Sequence, residues 1–71
     1  VTHREALDVR LGDRVWLAPE LPVPRGPAFA MAPLNKDEWF EIEVRASIYG
    51  RVTWAGWVHY GTCERAEWER G

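Results

Sequence analysis

Cys63 and His59 are the two residues of this 71-residue chain whose types suit nucleophilic chemistry, a thiol and an imidazole base. On one continuous strand they share a face but stand about 13 Å apart, at ~3.3 Å per residue. Proton transfer needs a reach of about 3 Å. Gly61 could bend the chain between them, yet the spacing favours Cys63 as a small buried hydrophobe. Glu41 and Glu43 form a carboxylate pair on one strand face. A retaining glycosidase holds such a pair ~5 Å apart across a cleft, and a flat sheet face offers none. One cysteine and two distant histidines, His3 and His59, make no zinc spacing. There is no glycine-rich phosphate loop and no dinucleotide fingerprint. No cofactor or metal is expected, and the chain leans to a non-enzymatic role.

What remains is aromatic surface, and its placement depends on one stretch, Trp39 to Gly61. Phe40, Ile42, Val44, Ala46 and Ile48 alternate with Glu41, Glu43, Arg45 and Ser47. Val52, Trp54, Gly56, Val58 and Tyr60 alternate with Thr53, Ala55, Trp57 and His59. Two such runs of period two predict a long β-hairpin, about 39–49 and 52–61, around Tyr49-Gly50-Arg51. Gly50 can supply the positive φ of a tight turn. Pairing Ile48 with Val52 sets Ala46 opposite Trp54, Val44 opposite Gly56, Ile42 opposite Val58 and Phe40 opposite Tyr60. Every pair is then apolar, whereas a one-residue slip separates the two apolar faces. The same register puts Glu41 opposite His59, Glu43 opposite Trp57 and Arg45 opposite Ala55. Trp57 is the odd member of that polar face.

Leu11 to Ala18 predicts a strand entered through Gly12-Asp13, with Val15 and Leu17 on one face and Arg14 and Trp16 on the other. The segment GDRVWL, Gly12 to Leu17, resembles the opening strand of many SH3-like small barrels. The resemblance implies a fold alone and carries no functional residue. Before this strand, Thr2 and Glu5 fit a capping box, so residues 1–10 hold either a turn or two of helix or a loosely ordered arm.

All five prolines lie between Pro19 and Pro33, which predicts a long irregular connection over 19–35. It is not polar: Leu21, Val23, Phe29 and Met31 predict packing on the barrel, with Ala28 to Ala32 a short edge strand. Pro19-x-x-Pro22 and Pro24-x-x-Pro27, with Arg25 nearby, match a polyproline II ligand pattern, but proline-rich loops produce that pattern by chance and a rigid self-packed loop is the favoured reading. For residues 62–70 the spacing favours a short helix or helical turn opened by Thr62, over a final strand with Ala66 and Trp68 inward.

Seventy-one residues make one domain, and a chain this short buries only about 60% of its unfolded surface. A single cysteine excludes an internal disulfide, so five Trp, two Tyr and two Phe must supply much of the core. The net charge of −2 gives no general attraction for nucleic acid or anionic lipid. No apolar run reaches the ~20 residues of a membrane span, and no signal-peptide pattern is present, so a cytoplasmic setting is expected. Eight arginines against one lysine suit a GC-rich bacterial or phage genome.

The expected protein is therefore mainly β: a small SH3-like barrel or strongly bent antiparallel sheet built on the hairpin. Its expected function is partner binding or self-association through Trp57, Trp16, Glu43, His59 and Arg45 on the outer face, with Leu21, Val23, Arg25 and Phe29 of the proline-rich connection. The acidic residues Asp37, Glu38, Glu41 and Glu43 favour a basic protein partner. Single-stranded nucleic acid is the alternative, through Trp16, Trp57, Arg14, Arg45 and Arg51. A ligand or active site shared between copies of a homo-oligomer is the third.

Overall fold

The computed structural model describes residues 1–67. Helix α1 (His3–Leu7) precedes strands β1 (Arg14–Leu17), β2 (Ala28–Ala30), β3 (Trp39–Arg45) and β4 (Val52–His59). A 3-10 turn, Tyr60–Thr62, leads into β5 (Cys63–Glu67). The five strands form one antiparallel sheet in the order β4-β3-β2-β1-β5. The radius of gyration, 11.0 Å, matches the ~11 Å expected of a packed chain of this length.

The connection between β4 and β5 forces curvature on this sheet. The two strands are the opposite edges, yet only Tyr60–Thr62 separates them. Four flat strand spacings would span ~19 Å, whereas the chain from His59 to Cys63 reaches ~14 Å at most. The sheet therefore bends, but it does not close: β4 and β5 both remain edges among the described residues. Of the two expected forms, an SH3-like barrel or a strongly bent antiparallel sheet, the described residues form the antiparallel sheet, without closing a barrel.

One inner row runs across all five strands as Trp54, Val44, Ala28, Val15 and Ala66. Phe40, Ile42 and Val58 extend this buried face, which α1 covers with Ala6, followed by Val9. Leu21 and Leu34 pack on it from the connections. Residues 1–10 are thus part of the fold rather than a loose arm. Both halves of the capping box form, with Glu5 N donating to Thr2 Oγ1 (3.2 Å) and Thr2 N to Glu5 Oε1 (2.9 Å). The bond from the Thr2 amide holds the Glu5 carboxyl below its ordinary pKa.

Three expectations are corrected. The hairpin arms are 39–45 and 52–59, and the register lies two residues from the expected one: Phe40 faces Val58, Ile42 faces Gly56 and Val44 faces Trp54. A shift of two keeps every side chain on its face, so burial did not discriminate against it. Trp54 lies over Gly56 of its own strand, where a Cβ would stand 2.7 Å from the indole. An irregularity at Val44/Arg45 leaves Thr53 with no residue directly opposite, its Oγ1 donating to Val44 O at 3.2 Å, and Ile48 and Val52, expected to be paired inside, are 48% exposed. Gly50 serves the turn by its missing side chain, since a Cβ would crowd the Ser47 amide at 2.7 Å; its φ is not positive.

The second correction is β2. Ala28–Ala30 is a central strand, not an edge, because Pro27 and Pro33 fall outside it and leave its amides free to pair. Ala28 and Ala30 turn inward, so Phe29 turns out. The third is the C-terminal segment, where β5 forms instead of a helix. The open edge of β1 offers a backbone ladder that outweighs the helix propensity of Glu, Arg and Ala. Ala66 does pack on the core; Trp68 lies outside the described residues.

Candidate functional site: the outer face of the sheet

Alternation decides which side chains reach the outer face: Trp39, Glu41, Glu43 and Arg45 on β3, Ala55, Trp57 and His59 on β4, Phe29 on β2, Arg14 and Trp16 on β1. Trp57 is 51% exposed and Trp39 is 41% exposed. Glu41 stands opposite Trp57 and two residues from Trp39, and is itself exposed. The turn before β3 fixes this end of the face. Asn35 Oδ1 accepts from Asp37 N (3.0 Å) and Trp39 N (2.8 Å), which launches the strand with Trp39 outward.

The middle of the face is closed on itself. Arg45 lies over the Phe29 ring, 4.3 Å from its centroid, while its Nε donates to Glu43 Oε1 at 2.8 Å and its Nη2 reaches the same oxygen. Glu43 and Arg45 thus neutralise each other, and Phe29 is covered. Trp16 is similarly engaged: the Arg14 and Arg65 guanidinium groups each lie 4.7 Å from its ring centroid.

Trp16 also lines the second candidate surface, a cleft of about 250 Å³ beneath the proline-rich connection. Leu17, Leu21, Val23 and Arg25 share that lining. The structure therefore brings Trp16, Leu21, Val23 and Arg25 together and sets them apart from Trp57. Phe29, Glu43 and Arg45 belong with neither.

His59 sits at the rim of the outer face, opposite Trp39 rather than Glu41. Its Nδ1 accepts from Gly61 N (3.1 Å), and its ring meets Trp39 edge-on at 5.8 Å and Tyr60 at 4.7 Å. Glu38, in the left-handed region at φ 69°, places its carboxylate 3.6 Å from His3 and 3.7 Å from His59. These exposed pairs orient the rim and contribute little energy. Cys63 is 1% exposed on the inner face, and burial pushes its thiol up to about 11. It is therefore neither ionised nor reachable at neutral pH. Among the described residues no group of three His, Cys, Asp or Glu could hold a metal, and no helix is long and apolar enough to cross a membrane.

Trp39 is the exposed residue that the sequence did not single out. Its signal was there, since it shares the parity of Glu41 and Glu43 at the head of the same strand. No family model, curated protein or solved structure matches this chain.

Proposed function

We propose that this chain is a non-enzymatic interaction module that takes a basic protein segment across Trp39, Glu41 and Trp57. The observation that carries it is the juxtaposition of two half-exposed indoles with an exposed carboxylate. A lysine or arginine side chain there meets an ion-pair partner and aromatic faces at once, and its aliphatic stem covers apolar area. Exposed tryptophans are also the residues most enriched in binding hot spots. The strand order, with β5 returning to β1, agrees with an SH3-like module whose barrel is left open. Single-stranded nucleic acid is less well served: the Trp16 ring is occupied by guanidinium groups, and a carboxylate stands beside Trp57.

Panning a displayed library of random peptides against the wild-type protein and Trp57→Ala tests this. The wild type is expected to enrich peptides containing Lys or Arg. Trp57→Ala should weaken the enriched peptides at least tenfold, and Glu41→Gln severalfold, with a reduced salt dependence. Peptides without basic residues, or binding indifferent to both substitutions, would overturn the proposal.

A further inference from the structure

The two edges of this sheet differ in kind. β5 carries Glu64 and Arg65, charges of the sort that keep an edge from pairing with another chain. β4 reads Val-Thr-Trp-Ala-Gly-Trp-Val-His over Val52–His59, with no Asp, Glu, Lys, Arg or Pro. It is the longest strand of the sheet, and β3 is its one ladder neighbour among the described residues.

The backbone groups that this edge presents can be assigned. Met31 N donates to Glu41 O at 2.7 Å, so Glu41 turns its backbone polar groups toward the β2 side. Alternation then turns those of Phe40, Ile42 and Val44 toward β4, where Val58, Gly56 and Trp54 bond back to them. The N–H and C=O groups of Ala55 and Trp57 consequently point out of the edge. At one end Thr53 lies in the irregularity opposite Val44/Arg45. At the other, the His59 carbonyl already accepts from Thr62 Oγ1 at 2.7 Å. The four groups of Ala55 and Trp57 form a continuous run along the edge, with the His59 N–H beside it.

We infer that β4 pairs with β4 of a second copy of this chain, antiparallel about a two-fold axis at Gly56. This is the register in which all four groups of Ala55 and Trp57 pair, each Ala55 exchanging both bonds with the other copy's Trp57. It uses neither Thr53 nor the His59 carbonyl as a hydrogen-bonded partner. Side chains agree with it. On the outer face each Trp57 stands opposite an alanine, the two glycines meet on the axis, and on the inner face each Trp54 stands opposite a Val58. Large meets small or apolar throughout, and no like charges are brought together, which makes the strand complementary to itself. The outcome is one ten-stranded sheet with two copies of the outer face. The inference goes beyond the partner site on Trp39, Glu41 and Trp57, because it rests on the backbone of β4.

Sedimentation velocity over micromolar to millimolar concentration, with backbone amide exchange at both extremes, tests it. The wild type should show a concentration-dependent dimer, and the amides of Ala55 and Trp57 should become protected as it forms. Ala55→Pro removes an N–H that β3 does not use and should weaken association at least tenfold. A monomer throughout the range overturns the inference. So does a dimer in which the Ala55 and Trp57 amides stay unprotected, a readout that holds even if Ala55→Pro fails to fold. A monomer that still selects basic peptides would leave the outer-face proposal standing, and a dimer that selects none would leave this one.

Discussion

Gly26 holds φ at 142°, and a Cβ there would overlap the Arg45 carbonyl oxygen. The backbone of the proline-rich connection thus lies directly on the end of β3, where Arg45 N also donates to Pro27 O at 2.9 Å. Gly26→Ala is expected to cost at least about 2 kcal/mol in urea denaturation, from backbone strain and overlap together. A change within about 0.5 kcal/mol would show that the connection is not seated there. Cys63 gives a pH signature. Its ordinary value is 9.0 and its folded value about 11, so between these the unfolded chain releases a proton that the folded chain keeps. Stability should fall as pH rises through that window, by on the order of 2 kcal/mol. Comparing urea midpoints of wild type and Cys63→Ala isolates this loss from other titrations. Equal pH dependence in the two proteins would mean that the thiol is not held in an apolar site.

Elements show which parts of the fold were legible and which were not. Period-two alternation revealed the faces of β3 and β4, because parity is a local property of the strand. The register was not legible, since sliding β4 by two residues preserves parity and leaves Phe40, Ile42 and Val44 buried. The nature of β5 was hidden for another reason: its local propensity is helical, and its strand exists only because β1 supplies a ladder 46 or more residues earlier in the chain. The outer-face site was half legible. Trp57 stood out as apolar among polar neighbours, while Trp39 was lost at the strand's beginning, where no preceding residue marks the alternation. Substitutions at two isoleucines check the corrected hairpin. Ile48→Ser, in the exposed turn, should change stability by less than about 0.5 kcal/mol. Ile42→Ala, fully buried, should cost about 2–4 kcal/mol. Comparable costs at both positions would restore the longer hairpin with Ile48 inside.

At the scale of the whole molecule, a short chain has one sheet and only enough apolar cover for one of its faces. α1, Val9, Leu21 and Leu34 close the inner face. On the outer face Arg14, Arg45 and Arg65 are drawn over Trp16 and Phe29, and that cover does not extend to Trp39 or Trp57. Aromatic area left uncovered in this way, beside the exposed Glu41, is the physical basis for assigning the molecule a binding role. The five tryptophans make the claim measurable, because each indole N–H gives its own signal in a nitrogen–proton correlation spectrum. A basic peptide selected on the wild-type protein, titrated into labelled protein, should shift the Trp39 and Trp57 indoles. Those of Trp54, on the inner face, and Trp16, beneath its guanidinium groups, should stay in place. Movement of Trp16 or Trp54 with Trp39 and Trp57 unmoved would contradict the account.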